Sequence, residues 1–321
     1  MYCLSSFPDS PPRSGIWAPN NIEWLITQFA TAKIGAILVC VNPAYRVFEL
    51  EYALNRSGCR AIVTAERFKS SRYLDMLTRL APELATCEPG QLRSQRLPQL
   101  EVVIRMGEET TPGMLNFGEV RHRGGDEERA LLHSIQPGLS ASDVINIQFT
   151  SGTTGNPKGA ALTHHNILNN ANQVAAGMRL TESDRLCIPV PMYHCFGMVL
   201  GKLACVTRGA TAIFPDEAFE PGAVLETVEA ERCTALHGVP TMFVTELDYP
   251  DFAKFDVSSL RTGIIAGAPC PEELMKRIIG EMHMVAEGVK TSKVVMELAD
   301  RYGVAMPIAY EVYQAIHGDS N

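Results

Sequence analysis

The sequence predicts an α/β fold, with mainly parallel sheets flanked by helices, because two kinds of segment alternate along it. Segments with apolar side chains at helical spacing are each followed by a short apolar run that is rich in β-branched residues. Glycine or proline usually separates one segment from the next. Such alternation of helix and strand is typical of parallel sheets whose faces are covered by helices.

The first helix–strand pair occupies residues 24–42, WLITQFATAKIGAILVCVN, where helical spacing ends at Gly35 and the run AILVCV follows. The second pair is FELEYALNRSG, closed by Gly58, and the short strand CRAIVTA. Prolines and glycines make residues 82–98 irregular before the strand LEVVIRM. Residues 107–140 are polar and rich in turn residues, which predicts surface loops with one short helix.

The second half of the chain continues the alternation. The strands are VINIQFT, RLCIPVP, ATAIFP and LRTGIIAG, and the helices are predicted near 197–207 and 221–231. The C-terminal segment has the pattern of two amphipathic helices, at about 289–302 and 307–317, separated by a glycine and a proline.

Composition excludes several classes of protein. The chain carries a net charge of −8, whereas a nucleic-acid binder needs a basic surface. Its length of 321 residues favours roughly two domains of ~150 residues. Nine cysteines without a CxxC pair indicate reduced thiols in the cytoplasm and no zinc site. We find no secretory leader and no run of ~18 apolar residues, so the sequence predicts a protein that does not span a membrane.

The most distinctive stretch is QFTSGTTGNPKGAALTHHN at residues 148–166, in which the loop SGTTGNPK lies between the strands VINIQFT and GAALT. Glycines let the backbone approach a ligand closely, and hydroxyl side chains and successive N–H groups can surround an anion. Lys158 adds a mobile positive charge for a phosphate oxygen. The glycine and hydroxyl residues are Ser151, Gly152, Thr153, Thr154, Gly155 and Gly159. A plain hairpin loop with an exposed lysine is the alternative interpretation.

The spacing of this loop excludes the commonest phosphate-binding loop. A Walker A motif needs a second glycine five residues after the first, followed by Lys-Ser or Lys-Thr. Here the residue five positions after Gly152 is Pro157, and Gly159 follows the lysine.

FTSGTTGNPKGAALTHHN resembles the phosphate-binding signature of the adenylate-forming superfamily, which contains acyl-CoA synthetases, peptide-synthetase adenylation domains and luciferases. GIWAPNNIEWLITQFATAKIGAILVCVNPAYRVFELEYALNRSGCRAIV is similar to the early part of a medium- or long-chain fatty acyl-CoA synthetase. PVPMYHCFGMVLG, HGVPTMF and LRTGIIAGAPCPEEL are similar to later core motifs of the family. The resemblance covers about residues 15–284 and implies an incomplete large N-terminal adenylation domain.

The resemblance implies a role for each matching position. The loop from Thr150 to Gly159 would bind the β- and γ-phosphates of ATP, with Lys158 as a catalytic charge. His194 matches the active-site histidine beside the reacting carboxylate, although from the sequence alone it could equally be a core histidine. Two shorter segments match substrate contacts. These are His237, Gly238 and Val239, near the acyl pocket, and Gly267, Ala268 and Pro269, which would pack on adenine.

The implied reaction is the activation of a fatty acid. ATP and the carboxylate would give an acyl-adenylate and pyrophosphate, and the thiol of coenzyme A would then displace AMP. The family uses Mg²⁺, but its Tyr-Gly-x-Thr-Glu motif, whose glutamate helps to hold the metal, does not follow residue 284 here. The ribose-binding aspartate and the small C-terminal domain with its catalytic lysine are absent from the sequence as well.

Residues 285–321 resemble a different family. EGVKTSK, ELADRYGV and MPIAYEVYQAI are similar to the C-terminal region of bacterial NAD(P)-dependent glycerol-3-phosphate dehydrogenase. That resemblance would place Val285 and Glu287 near a dinucleotide, but the chain has no GxGxxG fingerprint, so we expect an appended helical tail. Three hypotheses follow: an acyl-CoA synthetase, a nucleotide- or acyl-binding module without turnover, and a chimera with dehydrogenase activity.

Overall fold

The structure is a computed structural model that describes residues 11–150, 157–282, 284, 287–307, 310 and 313–314. The chain forms two compact units. The first contains Met1–Asn169 and Pro191–Met198, and the second contains Asn170–Val190 and Val199–Asn321. Both are built on mainly parallel sheets with helices, so the predicted α/β fold is confirmed.

The first unit contains a sheet of seven strands and a separate two-stranded hairpin. The strands are β1 (Arg13–Trp17), β2 (Ile37–Cys40), β3 (Ala61–Thr64), β4 (Arg67–Phe68), β5 (Ser71–Arg72), β6 (Val102–Arg105), β7 (Leu115–Asn116), β8 (Val144–Thr150) and β9 (Lys158–Thr163). The large sheet has the order β7-β6-β3-β1-β2-β8-β9, and all its neighbours are parallel except β8 and β9.

The helices between these strands are α1 (Ile22–Lys33), α2 (Val47–Ser57), α3 (Tyr73–Leu80), α4 (Phe117–His122) and α5 (Asp126–Ile135), and α6 (His164–Gly177) follows β9. Asn21 begins α1, since its side-chain oxygen accepts a hydrogen bond from the N–H of Trp24 at 2.8 Å. Gly58 ends α2 in the left-handed conformation, with φ of 64°. The predicted helix–strand pairs at the start of the chain are therefore present.

The direction of the chain connections reverses in the centre of this sheet. From β1 the chain passes through α1 to β2 on one side, whereas from β3 it moves away towards β6 on the other side. The carboxyl ends of β1 and β3 therefore flank a topological switch point, where open α/β sheets bind their ligands.

Two aromatic side chains fix the backbone that leaves β2 at this end of the sheet. The rings of Trp17 and Tyr73 are fully buried and stacked, with centroids 3.7 Å apart. The indole N–H of Trp17 donates to the carbonyl of Asn42 at 3.1 Å, and the hydroxyl of Tyr73 donates to the carbonyl of Pro43 at 2.6 Å. Because both polar ends are satisfied, these large side chains stabilise the turn after β2 as well as the core.

The second unit contains a parallel sheet of four strands in the order β11-β10-β12-β13. The strands are β10 (Arg185–Cys187), β11 (Thr211–Ile213), β12 (Ala235–Gly238) and β13 (Thr262–Ile265), and the α-helices after β10 are α7 (Ala204–Arg208), α8 (Pro221–Ala230), α9 (Pro240–Leu247), α10 (Glu272–Glu281) and α11 (Glu287–Tyr302). Val224, Leu236 and Phe243 lie in its buried apolar core.

An ion pair between the buried carboxylate of Asp184 and the partly exposed Arg261 joins segments that precede strands of this unit. The carboxylate of Asp184 accepts hydrogen bonds from Arg261, at 3.0 Å from Nε and 2.6 Å from Nη2, and from the hydroxyl of Thr234 at 2.6 Å. The N–H of Thr181 donates to it at 2.8 Å. These bonds outweigh the opposing effect of burial and lower the pKa of Asp184 to about 2.

Some sequence predictions need correction. Residues 107–140 contain β7, α4 and α5 rather than loops with one short helix. The apolar helix expected near 197–207 is a π-helix over Phe196–Leu203 that continues into α7. In the tail, α11 matches the first predicted helix, whereas most of the second predicted helix lies outside the described residues. Among the described residues, no helix combines the length and the apolar character needed to cross a membrane.

Candidate functional site

The hairpin of β8 and β9 carries the predicted phosphate loop. The two strands are antiparallel, and the register pairs Thr150 with Lys158 and Phe149 with Gly159. The hydroxyl of Thr150 donates to the carbonyl of Lys158 at 3.4 Å, so these residues face each other where the loop leaves the sheet. The predicted contacts Ser151, Gly152, Thr153, Thr154 and Gly155 lie outside the described residues.

The base of this loop is shaped by a glycine and an exposed lysine. A Cβ on Gly159 would lie 3.1 Å from Cγ2 of Ile147 and 3.6 Å from the ring of Phe149, so a side chain there would press on β8. Lys158 is exposed, which leaves its ammonium group able to move towards an anion. The hairpin therefore supplies a positive charge at the carboxyl end of β8.

His194 lies in a turn at the start of the π-helix, and its ring has a defined orientation. The N–H of Phe196 donates to Nδ1 of His194 at 3.1 Å, and the N–H of Met198 donates to the carbonyl of His194 at 3.0 Å. His194 therefore accepts one hydrogen bond through its ring and one through its carbonyl, as an N-cap residue does where a helix begins. Because a backbone N–H can only donate, Nδ1 carries no proton and the neutral ring holds its proton on Nε2.

The surroundings of His194 keep the ring neutral. Desolvation lowers the pKa of His194 below its ordinary value. Protonation at Nδ1 would also remove the acceptor for the N–H of Phe196. The ring is exposed, so it offers a neutral Nε2–H donor to solvent or to a ligand, rather than filling the core.

Side chains of β8 contact the helix that follows His194. The amide nitrogens of Asn146 and Gln148 each lie 3.9 Å from the sulfur of Met198. Both also donate to the sulfur of Cys40 on β2, at 3.3 Å and 3.4 Å. The strand that ends at Thr150 therefore packs against the first turn of the helix that follows His194.

In the second unit, His237 occupies β12 and is fully buried. Its Nδ1 accepts from the N–H of Ile264 at 3.2 Å, so its Nε2 donates to the carbonyl of Leu200 at 3.1 Å. Burial lowers the pKa of His237 to about 4. With both ring nitrogens bonded inside the protein, His237 is suited to holding β12, β13 and the π-helix together. Neither nitrogen is left to bond a substrate.

The predicted adenine and acyl segments leave neighbouring strands and contact each other. Val239 follows β12, and Gly267 follows β13. The N–H of Ala266 donates to the carbonyl of Gly238 at 3.3 Å. Gly267 has a φ of +90°, and a Cβ there would lie 3.2 Å from Cγ1 of Val239. Gly267, Ala268 and Pro269 are exposed, so this edge of the sheet is open to a ligand.

Acidification should weaken the fold through His237. Its pKa is about 4 when folded and 6.5 in a model compound, so its contribution is full above pH 6.5 and is lost as pH falls towards 4. The difference of 2.5 units corresponds to about 3 kcal/mol at ~1.36 kcal/mol per unit. We expect urea unfolding at pH 7 and at about pH 5 to show a smaller pH dependence in His237→Gln than in the wild type.

The exposed residue His133, changed to Gln, is the matched control for this measurement, because it is the same kind of residue at a position that is not buried. Its pH dependence should equal that of the wild type. Identical pH dependence in wild type and His237→Gln would show that His237 is not held neutral by the fold.

Mg²⁺ is the metal ion that the predicted chemistry implies. Among the described residues, no three His, Cys, Asp or Glu side chains are placed to hold a metal ion together.

Family models match the chain in two places. The model described as AMP-binding enzyme matches residues 11–288. A second model, described as the C-terminus of NAD-dependent glycerol-3-phosphate dehydrogenase, matches residues 261–321. The two matches overlap at residues 261–288, so α10 falls within both.

Curated relatives resemble the chain over most of its length. It is 50% identical over 269 residues to the putative acyl-CoA synthetase YngI of Bacillus subtilis (strain 168), covering 84% of this chain and 49% of the relative. It is 47% identical over 274 residues to the mitochondrial medium-chain acyl-CoA ligase ACSF2 of Danio rerio, covering 84% of this chain and 45% of the relative. The chain spans about half the length of these relatives.

Solved structures confirm the fold. The anthranilate CoA ligase AuaEII in complex with anthranoyl-AMP matches 85% of this chain and 49% of its own, with a TM-score of 0.70 and 23% identity. A putative long-chain-fatty-acid CoA ligase from Rhodopseudomonas palustris CGA009 matches 86% of this chain and 61% of its own, with a TM-score of 0.68 and 22% identity. Since the AMP-binding enzyme match takes in residues 11–288 of the 321, this chain belongs to the AMP-binding enzyme family.

Proposed function

We propose that this chain supplies the nucleotide- and carboxylate-binding part of an AMP-forming acyl-CoA synthetase whose substrate is a fatty acid. The observation that carries the proposal is the β8–β9 hairpin, which ends in the phosphate-loop sequence and presents Lys158 at its base. The printed names of the relatives, an acyl-CoA synthetase and a medium-chain acyl-CoA ligase, support the substrate class.

In the proposed first step, a carboxylate oxygen attacks the α-phosphorus of ATP and pyrophosphate leaves. Two anions must meet, so the reaction depends on their orientation and on neutralising the charge of the leaving group. Lys158 would place its ammonium group against the terminal phosphates, beside the hydroxyl of Thr150. The loop residues Ser151 to Gly155 would add backbone and hydroxyl donors.

His194 would act on the carboxylate as a neutral donor. Its Nδ1 is engaged by the N–H of Phe196, so Nε2–H is the group available to a substrate oxygen. A neutral donor can orient the carboxylate without fixing its charge as strongly as a cation would, so the oxygen keeps its nucleophilicity.

In the second step the thiol of coenzyme A would attack the acyl carbon and AMP would leave.

The second unit would contribute two contacts. Gly267, Ala268 and Pro269 form an exposed edge after β13 that suits packing against the flat face of adenine. Gly238 and Val239, at the carboxyl end of β12, would line the acyl group, while His237 holds this strand in place.

ATP–pyrophosphate exchange with short-, medium- and long-chain fatty acids tests the proposal without requiring coenzyme A. We expect exchange that depends on the fatty acid and is lost in His194→Ala. ATP binding without exchange for any fatty acid would instead support a binding module without turnover. Formation of acyl-CoA on addition of coenzyme A tests the second step separately.

The match to a dehydrogenase C-terminus suggests a second assay. NADH oxidation with dihydroxyacetone phosphate should show no activity, because the sequence contains no GxGxxG fingerprint to hold the pyrophosphate of a dinucleotide. Steady oxidation of NADH would favour the chimera with dehydrogenase activity.

A further inference from the structure

The buried side chain of Asn20 joins two segments of the first unit that lie far apart in the sequence. Asn20 lies in the turn between β1 and α1 and is only 5% exposed. Its side-chain oxygen accepts a hydrogen bond from the N–H of Met192 at 2.7 Å, across 172 positions of sequence. This turn leaves β1 at the topological switch point described above.

The bonded residue lies two positions before His194. Met192 is 1% exposed, and the N–H of His194 donates to the carbonyl of Pro191 at 3.2 Å, so residues 191–194 form a tight turn. On the other side of His194, Met198 packs against Asn146 and Gln148 of β8. The segment that carries His194 is thus held on both sides. The hydrogen bond to Asn20 holds the residues before the histidine, and the contacts of Met198 hold the residues after it.

We propose that Asn20 is a positioning residue, which fixes the turn carrying His194 and thereby aims the Nε2–H of that ring at the substrate carboxylate. The effect on catalysis rests on the proposed function, whereas the effect on the turn and on the ring does not. An amide suits this task, because its oxygen accepts a buried backbone N–H without adding a charge next to a neutral imidazole.

The adjacent residue offers a matched control. Asn21 also accepts one backbone N–H, from Trp24 at 2.8 Å, but it begins α1, and its amide nitrogen donates to the sulfur of Met106 at 3.3 Å. Asn20→Ala and Asn21→Ala therefore remove the same group and the same kind of bond at neighbouring positions. Both should lower the melting temperature, but only Asn20→Ala should change His194.

Two measurements report on His194 without activity. Long-range proton–nitrogen spectra show which ring nitrogen carries the proton, and His194→Gln identifies the signal. Amide hydrogen exchange measures protection of the Met192 N–H. In Asn20→Ala we expect faster exchange at Met192 and a mixture of ring tautomers, whereas Asn20→Asp, which keeps an acceptor, should retain the protection. Asn21→Ala should match the wild type in both.

Kinetics then test the catalytic part. In Asn20→Ala we expect kcat for ATP–pyrophosphate exchange to fall about tenfold with KM for ATP unchanged, since a misplaced group slows the reaction more than it weakens binding of the nucleotide. Asn20→Ser, with a shorter acceptor, replaces Asn20→Ala where alanine prevents folding. Unchanged Met192 exchange and an unchanged tautomer in the folded variant would overturn the proposal, whatever the activity of the wild type.

Discussion

Replacing Lys158 with alanine is expected to lower the rate of ATP–pyrophosphate exchange about 100-fold, the usual effect of removing one group that stabilises a developing charge. Thr150 and Lys158 are paired residues at the two ends of the phosphate loop. The ammonium group of Lys158 would therefore meet the terminal phosphates rather than the adenosine. The loss of affinity should therefore be large for ATP and for tripolyphosphate and small for AMP. Equilibrium binding of the three ligands measures this difference even where turnover is slow.

Two variants make this result specific. Lys158→Arg keeps the charge but changes a point charge into a planar fork, so it should retain part of the activity. Lys33→Ala removes the same charge from an exposed position at the end of α1 and should leave exchange unchanged. Equal affinity of wild type and Lys158→Ala for ATP, with equal exchange rates, would contradict the role of this lysine in phosphate binding.

Replacing Asp184 with alanine is expected to destabilise the second unit by about 2–3 kcal/mol, the range for losing hydrogen bonds to a charged group. The Asp184 side chain is 4% exposed, and its loss would remove the acceptor of the Arg261 Nε–H and of the Thr234 hydroxyl. The pKa of Asp184 is about 2, so the pair contributes fully above pH 3.8 and is lost only as pH falls towards 2. Urea unfolding at neutral pH measures the change directly.

Asp256 provides the exposed counterpart of this pair. Its carboxylate bonds Arg232, and its pKa is also lowered to about 2, mainly by hydrogen bonds from Ser258. Its side chain is 48% exposed, so water replaces the partner when the pair is broken. Asp256→Ala should therefore change stability little, and equal losses for Asp184→Ala and Asp256→Ala would show that burial does not set the strength of the Asp184 pair.

The sequence allowed much of the fold to be predicted, because local patterns determine it. The run VINIQFT is a strand with the predicted bounds, and the two early helix–strand pairs are present. Only one short helix was expected where α4 and α5 form, because none of their residues is buried. Without an apolar face, a short surface helix leaves little periodic signal.

The arrangement around His194 could not be read from the sequence. Whether this histidine was buried or exposed depended on the turn that holds it, and the bond from Asn20 to Met192 joins residues that no local pattern relates. The π-helix after His194 also has an ordinary apolar sequence, so its wider hydrogen bonding had no local signature. By contrast, the phosphate loop was found at once, since glycines and a lysine at fixed spacing carry its chemistry within a few residues.

The contact between Gly267 and Val239 limits how this protein can change over evolutionary time. A side chain at 267 would have to adopt a left-handed backbone and would also press on Val239, so this position strongly favours glycine. Since 267 belongs to the segment proposed for adenine and 239 to the segment proposed for the acyl group, the two specificities are mutually constrained. A substitution of Gly267 should therefore disturb both segments at once, so the adenine contact cannot change through this position without affecting the neighbouring acyl segment.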